Sequence, residues 1–315
     1  MKHKGTKTQR KEKPHYQLPI TNYQLPITNY QLPITHYPLP ITHYPKGEFV
    51  TGAIFTGEAL ENKRVFSIPN FIIIGVQKGG TTSLYNYLIQ HPKIAPALQK
   101  EVQFFSLNFD KGIHWYFSQF PSVADGKELL TGEASPYYIF HPHVAKRIHQ
   151  FFPDVKLIAL LRDPVDRAIS HYFYYLKIGF ESLSFEDAIA LESSRMTGEI
   201  EKMLEDESYC SYNHRHYTYL TRGIYADQLP EWFKYFSREQ LLILNSDDLY
   251  KDTVGTMNQV LNFLELPHFH LETYPKYNAG EYKKVSPVIE EKLRQFFRPH
   301  NQRLAALLGK DFGWD

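Results

Sequence analysis

Lys78, Gly79, Gly80, Thr81 and Thr82 form a short run that could hold an anion. A lysine brings the charge. Glycines let backbone N–H groups come close to phosphate-like oxygens, and a helix starting at the threonines would add the positive end of its dipole. The run is not a regular Walker A loop. Gly75 and Gly80 have the GxxxxG separation, but Thr81 stands where that loop has lysine, and Lys78 lies inside the turn. The Ser/Thr that would follow the lysine and bind magnesium is missing, which speaks against a Mg-nucleotide hydrolase. Taken alone, the run could also be an ordinary strand-to-helix turn that uses glycine for its geometry.

A second cationic site follows in Arg162, Asp163 and Pro164, with Arg167 and Ser170 beyond. Arg162 could pair bidentately with a phosphate. Asp163 suits a helix N-cap and Pro164 the first helical position. Ser170, two turns on, would add a hydroxyl if its face borders the same ligand; otherwise these are a surface arginine and a helix serine. Two separated anion cradles would suit a nucleotide with phosphates at both ends of its ribose.

The elements that would position these residues follow from the hydrophobic pattern. Phe71 to Ile74 reads as a buried parallel strand, and a helical pattern spans 81–90. Further strands are expected near 129–131 and over 155–161 and 241–245. Helices are expected over 141–151, 164–178, 226–236, 253–264 and 287–308. Strands alternating with helices predict an α/β fold, a single P-loop-like domain with a central, mainly parallel sheet flanked by helices. Ligands of such sheets sit beyond the carboxyl ends of the strands, where both cationic sites would lie.

Ahead of this domain, residues 16–45 repeat with a period of seven (YQLPITN, YQLPITN, YQLPITH, YPLPITH). Pro19, Pro26, Pro33, Pro38 and Pro40 forbid a continuous helix, so an extended, polyproline-like or disordered tail is expected. Residues 46–65 read as a linker and 66–315 as the domain, roughly 250 residues and enough for a sizeable core. Residues 1–15 carry six Lys/Arg and one Glu, which leaves −4 on the rest of a chain whose total is +1. A domain that is not broadly cationic argues against non-specific nucleic-acid binding. No apolar run approaches the ~18–20 residues of a membrane span, and no apolar region follows the basic start. Cys210 is the only cysteine, so no intrachain disulfide can form, and a reducing, cytoplasmic setting is expected. The histidine pairs 141/143, 214/216 and 268/270 lack metal-site spacing, and no metal is expected. The stretch 195–222, rich in Glu, Tyr and His, reads as an acceptor-facing loop or lid.

Several segments carry a family resemblance: FIIIGVQKGGTTSLYNYL, KEVQFFS, GIHWYFSQFP, LLRDPVDRAISHYFYY and RGIYADQLPEWFKYF. Together they resemble the sulfotransferases that use 3′-phosphoadenosine 5′-phosphosulfate (PAPS), nearest the heparan-sulfate N- and 3-O-sulfotransferase branch, over residues 68–315. The resemblance implies the sulfotransferase fold. It also implies that Lys78, Gly79, Gly80, Thr81 and Thr82 bind the 5′-phosphosulfate and that Arg162 and Ser170 bind the 3′-phosphate. Tyr225 would lie near the nucleotide, and Lys284 would sit on a late loop covering it. Where relatives read Lys-Gly-Arg in that loop, this chain has Tyr282, Lys283 and Lys284. Glu101 matches the family's general base for sugar acceptors, and Lys78 would stabilise the leaving oxygen, which implies a carbohydrate or glycan-like acceptor and no metal. Glycosaminoglycan-specific relatives carry Glu-Lys where this chain has Glu133 and Ala134, so that second cation is not supplied. Glu133 would either orient a substrate hydroxyl or make a structural hydrogen bond. The competing expectations are a P-loop kinase and a catalytically silent nucleotide- or glycan-binding protein.

Overall fold

The structure is a computed structural model that describes residues 53–54, 66–122, 129–277 and 285–314. The repeat tail, most of the linker and Lys284 lie outside the described residues.

Five strands form one parallel sheet: β1 Phe71–Gly75, β2 Ile94–Pro96, β3 Leu130–Ala134, β4 Lys156–Leu161 and β5 Leu241–Asn245. Their order is β2-β3-β1-β4-β5. All of β1 is buried, as a central strand covered on both faces requires. Its side chains alternate between two cores. Ile72 and Ile74 join Leu157, Ala159 and Leu161 on one face, and Phe71 and Ile73 join Ile158 and Leu160 on the other. Burying each such side chain contributes about 1.5–3 kcal/mol.

The first face is covered by helices α2 Val144–Phe151 and α4 Tyr225–Phe233, together with Leu304 of α6 Pro287–Leu308. On the second lie α1 Thr81–Leu88 and α5 Thr253–Phe263. Helix α3, Pro164–Lys177, leaves the end of β4 and packs Val165, Tyr172 and Tyr175 against Phe185, Tyr219 and Phe297. The expected α/β architecture is therefore present. A two-residue antiparallel pairing, Ala53–Ile54 with Phe66–Ser67, stands apart from the main sheet.

The departures from the sequence expectations have local causes. The strand expected near 129–131 runs on to Ala134, carrying Glu133 into the interior. The helix expected from 141 starts at Val144, because Pro142 disfavours helical geometry at His141 and a 3-10 turn occupies Tyr138–Phe140. β2 has three residues and ends in proline, too little for a periodic signal. The stretch 195–222 is not an open loop. It carries the short helices Glu199–Glu205 and Tyr212–His216, the end of Glu192–Met196, and a 3-10 turn at Thr221–Gly223.

This strand order makes the carboxyl end of β1 a switch point. From β1 the chain crosses to the β2 edge, returns to β3 beside β1, and then passes to β4 on β1's other side. The segments leaving β1, β3 and β4 are thereby brought to one edge of the sheet.

Candidate active site

Beyond β1 the chain turns tightly before entering α1. Val76 N–H donates to the Leu160 carbonyl at 3.1 Å, and Gly79 N–H donates back to the Val76 carbonyl at 2.9 Å. A Cβ on Gly79 would lie 2.4 Å from the Leu160 carbonyl oxygen, so no larger residue fits without moving the backbone. Gly80 has φ 97° and starts α1 with no side chain capping the helix. The positive end of α1 is thus left to whatever occupies the cleft before it.

That cleft measures about 1120 Å³, and its walls include Lys78, Gly80, Thr81, Thr82, Glu101, Arg162 and Ser170. Seven of the residues singled out from the sequence therefore meet in one place. Gly79 does not line it, being packed behind the turn. Tyr225 does not line it either: it is buried, and its hydroxyl donates to the Arg162 carbonyl at 2.8 Å. It steadies Arg162 from behind.

Arg162 links the two cationic segments. Its Nη1 donates to the Lys78 carbonyl at 3.0 Å, while Asp166 stands 3.7 Å from its Nη2. Asp163 caps α3 by accepting from Val165 N–H at 2.8 Å and Asp166 N–H at 3.3 Å, with Pro164 in the first turn. A cap of this kind stabilises a helix by about 1 kcal/mol. Lys78 projects with its Nζ 4.3 Å from the centre of the Tyr174 ring. Burial and the neighbouring Arg162 bring its pKa down from 10.5 to about 8, opposed by Glu101 and assisted by Arg167. Arg167 is wholly buried, and burial lowers it to about 10. Positive charges held this close favour an anion between them.

Glu101 lines the same cleft, near enough for its charge to act on Lys78, in a segment held by the end of β3. Both Glu101 (φ 62°) and Gln103 (φ 54°) adopt left-handed backbone. Glu101 N–H donates to the Ala134 carbonyl at 3.2 Å, and Gln103 N–H donates to Ser135 Oγ at 3.0 Å. Ser135 Oγ in turn donates to Glu133 at 2.6 Å, and Glu133 also accepts from Tyr116 at 3.0 Å and Tyr138 at 2.9 Å. Glu133 is fully buried; burial lifts its pKa from 4.5 to about 6 against the pull of these hydroxyls. Of the two roles open to it from the sequence, the structural one is observed. The Glu101 carboxylate itself is exposed, accepting from Lys100 Nζ at 2.6 Å and Gln103 Nε2 at 3.3 Å.

Of the stretch 195–222, expected to face the acceptor, Arg215, His216 and Arg222 line the cleft, together with Gln77, Tyr137 and Tyr175, which the sequence did not single out. Arg222 is buried, donating to Gln77 Oε1 and to the carbonyls of His214 (2.7 Å) and Arg215 (3.0 Å). Its guanidinium also lies 5.1 Å and 5.0 Å from the rings of Tyr137 and Phe140. Gln77 Nε2 donates to Tyr175 at 3.2 Å. The signals available were the composition of 195–222 and the Arg222-Gly223 pair opening the RGIY segment.

The histidines have packing roles. His214 stacks on Phe140 at 4.3 Å and hydrogen-bonds Tyr137 at 2.7 Å, and burial holds its pKa well below 6.5. His143 Nε2 donates to the Met203 carbonyl at 2.6 Å. Among the described residues, no group of three or more His, Cys, Asp or Glu is arranged to hold a metal ion, and no helix is long and apolar enough to cross a membrane.

Comparison with known proteins adds an independent line. The model of the sulfotransferase domain family matches residues 69–302. The membrane-associated sulfotransferase kil1 of Dictyostelium discoideum is 28% identical over 319 residues, covering 80% of this chain and 67% of that protein. Human heparan sulfate glucosamine 3-O-sulfotransferase 3B1 is 32% identical over 277 residues, covering 79% of this chain and 65% of that protein. The chain thus spans about two-thirds of the length of these relatives. Among solved structures, a sulfotransferase from Alicyclobacillus acidocaldarius superposes with a TM-score of 0.64 at 30% identity, covering 79% of this chain and 99% of that one.

Proposed function

This chain belongs to the sulfotransferase family, and from that premise and the geometry of its cleft we infer that it moves a sulfuryl group from PAPS to a hydroxyl or amine of a carbohydrate-like acceptor. One observation carries the reading: two cationic strand ends, Lys78 and Arg162, meet in one cleft and are joined by a 3.0 Å hydrogen bond. The residues fit the donor. Gly79 has no room for a side chain, α1 has no side-chain cap, and Arg162 has its nearest carboxylate at 3.7 Å.

PAPS would supply an activated sulfuryl group, its S–O bond to the 5′-phosphate breaking as an S–O bond forms to a hydroxyl acceptor or an S–N bond to an amine. In this assignment Gly80, Thr81, Thr82 and the start of α1 hold the 5′ end. Arg162 and Ser170 hold the 3′-phosphate, and Lys284 would add a cation from a segment outside the described residues. Lys78 places its charge where the leaving oxygen gains negative charge, so it acts most strongly in the transition state. Glu101, on the wall of the same cleft, takes the acceptor proton. A sugar-like acceptor is supported by the relatives named for heparan sulfate glucosamine and by a carboxylate in the base position. A cytoplasmic setting is proposed on the single cysteine alone.

The test is a thermal-shift titration with adenosine 3′,5′-bisphosphate (PAP), the desulfonated product, against ATP·Mg²⁺. A ligand that binds only the native state raises stability by RT ln(1 + [L]/Kd). Stabilisation by PAP that disappears in Arg162→Ala is the expected result. Stabilisation by ATP·Mg²⁺ alone would replace this reading with a kinase.

A further inference from the structure

Helix α3 and the residues just after it carry a run of large apolar side chains that folding leaves partly exposed. Tyr174, Leu176, Ile178 and Phe180 are 40%, 40%, 43% and 42% exposed, and all four line the cleft. The inward face of α3 is already complete, with Val165, Ala168, Tyr172 and Tyr175 buried. The Tyr174 and Phe180 rings lie 5.5 and 5.6 Å from the Tyr175 ring, yet these contacts leave much of each side chain facing the cleft, and Leu176 and Ile178 are equally exposed. Tyr212 extends the patch; it is half exposed, and its ring lies 6.4 Å from that of Phe180. Large apolar side chains clustered at the mouth of a site mark a binding surface, whereas scattered ones need no explanation.

Position ties this surface to the acceptor. The Tyr174 ring lies 4.3 Å from Lys78 Nζ, so a group leaving the reaction centre on that side passes over Tyr174 onto Leu176, Ile178 and Phe180. Tyrosine and phenylalanine could stack on a sugar ring. Leucine and isoleucine have no ring face to offer, and two of them in this wall favour an alkyl or aryl group. Of the basic residues lining the cleft, Lys78 and Arg162 are assigned to the donor and Arg222 is buried with protein partners, which leaves Lys177, Arg215 and Lys276.

We propose that the acceptor is amphiphilic: a hydroxyl-bearing head reaches Glu101 and Lys78, while a directly attached alkyl or aryl group lies on Leu176, Ile178 and Phe180. This rests on the sulfotransferase reading and narrows its acceptor class. The transfer is the one described above, with the acceptor O–H losing its proton to Glu101, a new S–O bond forming, and PAP leaving.

The experiment uses the full chain saturated with PAP and needs no turnover. Octyl β-D-glucopyranoside, below its micelle concentration, and methyl β-D-glucopyranoside are titrated separately by calorimetry, with the PAP dissociation constant as internal reference. The octyl compound should bind at least tenfold more tightly, which burial of about two methylenes provides. Ile178→Asp and, independently, Leu176→Asp should abolish that preference; both sites are exposed enough to accept the change without unfolding. Equal affinity, no measurable binding of either compound, or a preference that survives both variants overturns the proposal. Failure of the wild type to bind PAP is a separate result, and it overturns the transferase reading together with the inference built on it.

Discussion

The two ends of the cleft are built in opposite ways. The end assigned to the donor is made of strand termini: a glycine turn after β1, an arginine after β4, and the first turns of α1 and α3. The end assigned to the acceptor is made of side chains from the end of α3, from Tyr137, and from Arg215, His216 and Arg222 of the helical turns Tyr212–His216 and Thr221–Gly223. Strand termini are fixed by the sheet, so the donor end is rigid by construction. The acceptor end depends on buried polar contacts. Glu192 accepts from Leu220 N–H at 2.7 Å and Thr221 N–H at 2.8 Å, holding the turn that carries Arg222. In the proposed assignment the donor would thus be held mainly by backbone and strand ends, and the acceptor by side chains from α3 and the helical segments after it.

Substitutions should separate these ends. The largest effect is expected for Glu101→Gln: transfer should fall by about 10²–10⁴, while PAP affinity stays at the wild-type value. Unchanged turnover would remove Glu101 as the base. Arg162→Ala comes next, weakening PAP by about 10- to 100-fold through loss of charge-assisted hydrogen bonds. Isothermal titration gives the number, and an unaltered Kd would mean that Arg162 serves only to hold the Lys78 carbonyl.

A smaller effect should appear with pH. The free protein's Lys78 titrates near 8, and a bound anion favours its charged form, so binding takes up a proton in this range. PAP affinity should be flat just below pH 8 and decline above it, by at most about tenfold per pH unit. Lys78→Met should abolish that dependence, and a decline persisting in this variant would assign it elsewhere. The smallest effect concerns the support under Glu101. Glu133 keeps its proton up to about pH 6 when folded but only to 4.5 when unfolded. Between those values the folded state binds more protons, so stability falls as pH rises from 4.5 to 6 and then levels off, by roughly 2 kcal/mol. Denaturant titrations of wild type and Glu133→Gln should differ by a term with this profile. A constant difference across the window would contradict it.

The same contrast explains what could be read from the sequence. Phe71 to Gly80 was legible because a β-branched run, a glycine turn and a helix are contiguous signals. Asp163 and Pro164 were legible as a capping pair. Glu133 was ambiguous, since its three hydroxyl donors come from Tyr116, Ser135 and Tyr138, and only the fold shows that it faces inward. The contact made by Arg222 was missed because its partner Gln77 is 145 residues away. Tyr225 stood out within a recognisable segment, but its contact with the Arg162 carbonyl spans 63 residues and cannot be inferred from local pattern.

The Arg162–Lys78 contact also bears on which nucleotides the site selects. The guanidinium assigned to the 3′-phosphate is the one that immobilises the backbone carrying the 5′-binding lysine. Under the proposed assignment, a nucleotide lacking the 3′-phosphate would leave this guanidinium to the Lys78 carbonyl and Asp166 alone. One side chain would then both recognise the second phosphate and shape the cradle of the first.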